Sequence, residues 1–541
     1  MTHAPLLLSA GSIVNFTGPD PESPATHVAI AGDRIVAVGG SELAVEWPGA
    51  RTIDYGPRAA ILPGLVDTHA HPVWGSEARG GGVNLAGAGS LEELRIRIAP
   101  AVAGATATAG VGGAWVSGFA LDPAVLGPSP SGRMFEEWFP GAPIVLMTAD
   151  AHAVVASPAA LRAAGITGAE TFADASRVVV DAAGPTGWLV ELQAMDLVFA
   201  AVPPASLEDQ AGYLFEALQE FAASGLTEVH ALDFHHPSGE LYSMLEASGE
   251  LPVRVRCFPL VPADSTPETW AEIAALGARR GRRWHVAGVK FMIDGTADNG
   301  TAWFERPDCH GENHTSLWRN TEAYRDAVRF FTKQGLPTVT HAIGDRAVAF
   351  ALDVIGEVGH ALSAPHRIEH IESVPDELLP RFFEVGAVAG LQPTHATRFT
   401  SPAGDDPWSQ RLGPERAARG WRVRDLLAAG ATVTLSSDWP IGEGDPRVSL
   451  AEAQLRRPLE DPDQAPLLPS QGIDARAAYR AMTVAAAVAS GTARSQGRVA
   501  PGFLADLTVL GEDPTQLAPE AQAQCAVLAT LVGGQHQSAT R

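Results

Sequence analysis

Ala60-Ile61-Leu62-Pro63-Gly64-Leu65-Val66-Asp67-Thr68-His69-Ala70-His71 is a Pro-Gly turn followed by an apolar run that ends in polar residues. A strand buried in a parallel sheet reads this way, and the chemistry begins where the apolar run stops. His69 and His71 are two residues apart, so on a strand their side chains share one face and can reach a single ion. Taken alone, the pair is equally compatible with two polar residues closing a strand.

Downstream, from residue 221 onward, apolar strands alternate with helical patterns. The strands read as Thr227 to Ala231, Val253 to Phe258, Gly288 to Ile293, Pro337 to His341, Arg367 to His370, Ala387 to Gln392 and Thr432 to Ser436. Helical segments at Glu322 to Gln334, Arg346 to Val358 and Val423 to Ala429 fall between them. With the strand before His69 the set makes eight, and the economical reading is an α/β protein whose βα units close into a TIM-like (β/α)8 barrel over residues 61–490. Roughly 150 residues separate the first two strands, several times what a crossover helix needs. Residues from about 75 to 200 are therefore expected to form an insertion with its own structure, a lid over the mouth of the site. Short strands fill residues 1–60 (Leu6 to Asn15, His27 to Ile30, Arg34 to Val38, Thr52 to Asp54), and strand patterns recur at Ala505 to Leu510 and Ala526 to Val532 within residues 491–541. The two ends are expected to complete one β-domain together.

Composition narrows the class. With 46% hydrophobic and 18% charged residues in 541, the chain has the balance of a globular protein, and no apolar run approaches a membrane span. A formal charge of −24 without a basic patch excludes nucleic acid as a partner. Cys257, Cys309 and Cys525 are odd in number and scattered, which fits a reducing compartment and neither a disulfide framework nor a cysteine zinc site. Met1 to Phe16 lacks the basic start and long apolar core of a secretory leader, so a cytoplasmic protein is expected.

Four further polar residues stand at the carboxyl ends of other strands, the end where barrel active sites are built: Lys290, His341, His370 and Asp438. Singly, each histidine could be no more than a hydrogen-bonded residue at a strand end. A barrel would bring all of them around one cavity, where four imidazoles and a carboxylate make a mixed nitrogen and oxygen set suited to zinc or a similar divalent ion. Lys290 is the outlier, because an ammonium near cations is costly to bury and cannot ligate. Either it pairs with a carboxylate such as Asp294, or it is carboxylated into an anionic oxygen ligand that can bridge two ions.

The chain resembles the amidohydrolase superfamily, and within it the branch that contains N-substituted formamide deformylase. The resemblance spans nearly the whole chain. It rests on Pro63 to His71, on Val289-Lys290-Phe291-Met292-Ile293-Asp294-Gly295, on His341-Ala342-Ile343-Gly344-Asp345, on Ile368-Glu369-His370, on Ser436-Ser437-Asp438-Trp439-Pro440 and on Gly502-Phe503-Leu504-Ala505-Asp506-Leu507. Asp150-Ala151-His152 and Gly187-Trp188-Leu189-Val190-Glu191, inside the insertion, suggest the branch. The resemblance implies a barrel flanked by a β-sandwich made from both termini. It also implies His69, His71, Lys290, His341, His370 and Asp438 as ligands of one or two Zn2+ ions, with N6-carboxylysine at position 290 in a binuclear form.

A divalent ion there lowers the pKa of its water and polarises a scissile carbonyl. Asp438 is the candidate acid/base that takes the water's proton and delivers it to the departing amine, and His152 could bind the substrate carbonyl. Trp115, Gln392 and Trp439 are read as substrate contacts, with Trp74, Trp303, Phe304 and His395 as further pocket-wall candidates; His235 and His236 read as loop residues. The expected reaction is metal-dependent hydrolysis of a non-peptide C–N bond in a small amide, an N-substituted formamide or a related linear amide. Alternatives are a cyclic amide, carbamate or ester hydrolase on the same site, or a non-catalytic binding relative. A homo-oligomer, a dimer, is the expected assembly.

Overall fold

The computed structural model describes residues 5–17, 25–109, 114–172, 175–249, 251–263, 265–359 and 364–537. Eight parallel strands organise it: β1 (Leu65–Ala70), β2 (Leu226–Phe234), β3 (Arg254–Pro259), β4 (Val289–Met292), β5 (Thr338–Ala342), β6 (Arg367–His370), β7 (Val388–Leu391) and β8 (Thr432–Leu435). β1, β2 and β3 pair side by side, and β4 to β8 pair in sequence order. The two sheets meet at isolated parallel bridges, Leu260 to Lys290 on one side and Ala70 to Trp439 on the other. A short strand, Trp284–Val286, lies beside β3 and leads into β4 through Ala287 and Gly288. Glycine is required at 288, since a Cβ there would fall 2.4 Å from the Pro337 carbonyl oxygen.

Helices cover the outside of these strands. Thr321–Lys333 and Asp345–Val358 sit one residue or less from where periodicity puts them, because Asn320 caps the first through its side chain and Gly359 at φ 74° ends the second. Phe291 of β4 points outward into Trp318, Tyr324 and Phe331, with ring centres 5.3–5.9 Å apart. All four are fully buried, each contributing about 1.5–3 kcal/mol by burial. The other face of the strands is polar. Parallel register sets Lys290 beside Val339 and Val339 beside Arg367, and one step further His341 beside Glu369 and Glu369 beside Gly390.

Between β1 and β2 the chain builds a six-stranded sheet from Val83 to Val190, with its own apolar cores on both faces. Helix Leu91–Ala109 lies over one of them. Strands from both ends of the chain join in a further sheet, where Ala60–Pro63 pairs with Leu507–Leu510. A second sheet, of strands Leu6–Ser9, His27–Ala31, Arg34–Gly39 and Arg51–Asp54, shares a core with it through Leu8, Val28, Ile35, Ile61 and Val509. Among the described residues, no helix is long and apolar enough to cross a membrane.

Candidate metal centre

Five of the six candidate residues are delivered at the carboxyl ends of their strands; Lys290, expected there too, is instead the second of the four residues of β4. His69 lies in β1 and His71 directly precedes helix Pro72–Gly81; His341 lies in β5, His370 closes β6, and Asp438 follows β8 by three residues. Asp438 Oδ1 lies 3.2 Å from His69 Nε2 and 3.0 Å from His71 Nε2. Its Oδ2 lies 3.6 Å from His395 Nε2. Ring centres of His370 stand 5.0 Å from His69 and 4.3 Å from His341.

Backbone strain is part of the construction. Alternation along Arg367-Ile368-Glu369 puts Arg367 and Glu369 on the inner face and Ile368 in the outer core, so His370 should turn outward with Ile368. Instead His370 adopts φ 74° and Asp438 φ 56°, conformations a non-glycine residue holds only where its surroundings insist. That twist lets two adjacent residues, Glu369 and His370, both serve the cluster.

The donor set fits a divalent ion. His370 Nδ1 and His395 Nε2 are buried with no hydrogen bond among the described residues, an arrangement that costs free energy unless something accepts their lone pairs. Two overlapping triads, His69–His71–Asp438 and His370–His395–Asp438, have ligand atoms within 4.8 Å of one another. Burial holds the rings in the neutral, ligating form: His69 falls to about 4 in spite of Asp438, and His341 and His370 lie well below the ordinary histidine value, with burial the largest cause. Burial alone would raise Asp438, but His69, His71 and His370 hold it well below the usual carboxylate range. The His341 Nε2 donates to the Gly295 carbonyl at 3.1 Å, leaving Nδ1 as the free lone pair.

Lys290 sits one interior layer deeper, 3% exposed, with no hydrogen bond or ion pair to its ammonium among the described residues. Burial lowers its pKa to about 8 against the pull of Glu369 and Asp438. Asp294 is not its partner: that carboxylate accepts from the backbone N–H groups of Trp303, Ile343 and Gly344 and fixes the loop after β5.

Glu369 was not assigned a role from sequence, yet it orients His69, whose Nδ1 donates to Oε2 at 3.0 Å. Its other oxygen takes the Arg367 guanidinium, which also donates to the Thr68 carbonyl at 2.6 Å and contacts His230 Nδ1 at 3.1 Å. The carboxylate has room because residue 390 lacks a side chain: a Cβ there would meet Glu369 Oε2 at 2.2 Å. Gly390→Ala is therefore expected to push Glu369 off His69 and weaken divalent-metal affinity about 10- to 100-fold, measured by competition with a chromogenic chelator. Unchanged affinity would refute the orienting role.

The segment between β1 and β2 reaches the cavity through Asp150 and His152. His152 Nδ1 donates to Glu191 Oε2 at 3.0 Å, and its ring centre lies 5.7 Å from that of His341. Burial opposes its charge, but Glu191, Asp150 and Asp438 raise it to about 9, so it is an imidazolium at neutral pH. Glu191, at φ 67° and 1% exposed, also accepts from Thr301 and so pins the insertion to the loop after β4. His152, His370, His395 and Asp438 line a cavity that also includes Asp298, Glu372, Trp408 and Trp421. Burial, then neighbouring acids, raise Asp298 to about 7 and Glu372 to about 8.

Three expected substrate contacts lie elsewhere. Gln392 is fully buried behind the cluster, its amide donating to Glu369 and Ser436. The Trp439 ring turns outward against Phe221 at 5.2 Å, with Arg79 over it, while only its backbone meets β1. Trp115 packs with Trp74 and Phe119 on the apolar core of the insertion. Trp303 packs at a tilt against Phe350, ring centres 5.6 Å apart, and Phe304 is buried among Trp408 and Trp421. His235 and His236 lie in the turn before helix Ser238–Ser248, and neither lines the cavity. Direction explains these corrections: position near a strand end says nothing of which way a large ring turns.

Comparison with known proteins agrees with this geometry. The amidohydrolase family profile matches residues 59–536. The chain is 28% identical over 555 residues to Protein LONG AFTER FAR-RED 3 of Arabidopsis thaliana, covering 98% of this chain and 91% of that protein. It is 26% identical over 425 residues to N-substituted formamide deformylase of Arthrobacter pascens, covering 75% of each. An uncharacterized metal-dependent hydrolase from Pyrococcus horikoshii OT3 superposes with a TM-score of 0.74 at 23% identity, covering 95% of this chain and 99% of that one, and so shares the fold. Matched over most of its length, this chain belongs to the amidohydrolase family and is a hydrolase.

Proposed function

We propose that the protein hydrolyses the C–N bond of a small, non-peptide linear amide, an N-substituted formamide or a close analogue, at a zinc centre held by His69, His71, His341, His370 and Asp438. The observation that carries this reading is the convergence of His69, His71 and Asp438, whose ligand atoms lie within 4.8 Å of one another, with the buried, unbonded Nδ1 of His370 beside Asp438. In the same reading, β1 to β8 form one (β/α)8 barrel, the sheets at the two termini a β-sandwich, and residues from about 75 to 200 the lid. The resemblance to N-substituted formamide deformylase supports the choice of amide.

When bound, a divalent ion polarises the carbonyl and makes water a competent nucleophile near neutral pH. The protein's own residues do the rest. Asp438, ionised and at the centre of the cluster, accepts a proton from the attacking water and returns it to the leaving nitrogen. As the carbonyl carbon gains the water oxygen, its C–N bond breaks and the nitrogen leaves as an amine, so the products are a carboxylate and an amine. His152, charged and held by Glu191, is placed to donate to the carbonyl oxygen as negative charge builds there. Lys290, with its lowered pKa and no ionic partner among the described residues, suits carboxylation of its amine by CO2 to an anionic carbamate, the form that brings in a second ion.

Elemental analysis of the purified protein tests the centre. Wild type is expected to hold one or two zinc ions per chain, and His71→Ala to lose most of this content together with formamide hydrolysis. Stoichiometric metal in His71→Ala would overturn the assignment, and a panel of formamides all left intact by the metal-loaded wild type would overturn the choice of substrate.

A further inference from the structure

The second histidine of the His69–His71 pair is held differently from the first. His69 has a carboxylate of its own, with Glu369 Oε2 at 3.0 Å from its Nδ1. His71 has none: its Nε2 lies 3.0 Å from Asp438 Oδ1, and among the described residues nothing bonds its Nδ1. Its side chain is 23% exposed against 1% for His69, so packing confines it less. What fixes it is its backbone, whose N–H donates to the Trp439 carbonyl at 2.7 Å and whose carbonyl accepts from Gly75 at 2.8 Å, as His71 is the N-cap of helix Pro72–Gly81.

An N-cap residue commonly turns its side chain to the N–H groups of the first turn, which have no partner inside the helix. His71 makes no such bond, its ring being turned to Asp438, and Pro72 at the first position has no N–H to satisfy. The Trp74 N–H is capped from another strand instead: Asp233, near the end of β2, accepts from it through Oδ2 at 2.9 Å. β2 is shaped to allow this. Its pairing with β3 shifts register between Ala231 and Phe234, and both residues join the outer core, although strict alternation sets residues three apart on opposite faces. The shift frees Asp233 from the alternation and lets it meet the start of the helix. Its Oδ1 is buried without a hydrogen bond among the described residues, so Oδ2 carries the contact.

We propose that Asp233 is a positioning residue for the metal centre: by accepting from the first turn of the helix that His71 begins, it fixes the backbone from which His71 reaches the ion. The role needs an acceptor oxygen and no charge. It rests on the metal centre proposed above and goes beyond it by giving His71 a support, as Glu369 supports His69.

Full-length protein loaded with cobalt(II) is titrated with a chromogenic chelator, and its visible absorption, which reports ligand geometry, is recorded. Asp233→Ala is expected to hold cobalt about 10- to 100-fold more weakly than wild type, with an altered spectrum. Asp233→Asn keeps an acceptor of similar capping strength and is expected to match wild type in both readouts. Ser206→Ala removes the cap of helix Leu207–Ala223, which carries no ligand, and is expected to change neither readout. Wild-type affinity and spectrum in Asp233→Ala would overturn the proposal, as would an Asn variant as weak as the Ala variant or an equal loss in Ser206→Ala. Should Asp233→Ala fail to fold, amide exchange in wild type decides. Cobalt is then expected to slow the Trp74 N–H more than the Asp209 N–H, which Ser206 caps, and equal slowing would overturn the proposal. A wild type that takes up no cobalt would overturn the metal centre and the role of Asp233 with it, whereas the other negative results leave the centre standing.

Discussion

Asp438→Asn is expected to lower kcat/KM about 10²- to 10⁴-fold, the usual contribution of a positioned acid/base, while leaving most of the bound metal in place. Asparagine keeps the size of the side chain and one oxygen, so it removes proton transfer more completely than it removes coordination. The structure makes the substitution informative because Oδ1 serves His69 and His71 while Oδ2 faces His395. Steady-state kinetics paired with elemental analysis separate the two roles. Activity within tenfold of wild type would show that another group moves the proton.

The second large effect is on stability. Arg367 and Glu369 form a buried ion pair, 2% and 0% exposed, and removing one partner leaves the other charge buried without compensation. Arg367→Leu is expected to destabilise the protein by about 3–5 kcal/mol, read as a lower urea midpoint of the unfolding transition. The double variant Arg367→Leu with Glu369→Leu is expected to recover much of this loss, because a well-packed apolar pair avoids both desolvation costs. It should still bind a divalent metal weakly, since His69 then lacks its carboxylate. A single variant as stable as wild type would mean that water, rather than Arg367, satisfies Glu369.

Much of this was legible in the sequence because parallel strands advertise themselves: an apolar run that stops at a polar residue marks a strand and its chemical end together. His69, His341 and His370 each stand at such a stop. Glu369 was hidden by its neighbour. A strict alternation allows only one of two adjacent residues on a given face, and the positive φ at His370 that admits both leaves no mark in a non-glycine sequence. Glu191, Asp298 and Glu372 were hidden for another reason. They lie outside the eight strands, and their placement depends on how the insertion and the loops close over the cavity, which no local period encodes. The aromatic residues erred in the opposite sense. Trp439 does stand beside a candidate ligand, but its ring packs on the helices outside.

The junction between β1 and β8 has a kinetic meaning. Asp67 accepts from Ser437, and Asp438 meets His69 and His71, across about 370 positions of chain. At ribosomal rates of about 5–20 residues per second, the first strand waits roughly 20–70 s for the last one to be synthesised. Until then the apolar edge of β1 has β2 for company on one side and nothing on the other, and such late, distant pairings are slow to form and prone to wrong partners. Metal capture by the candidate triad is therefore a clock for the end of folding: divalent-metal uptake in a synchronised translation reaction should lag the appearance of the sheet that forms entirely within residues 83–190.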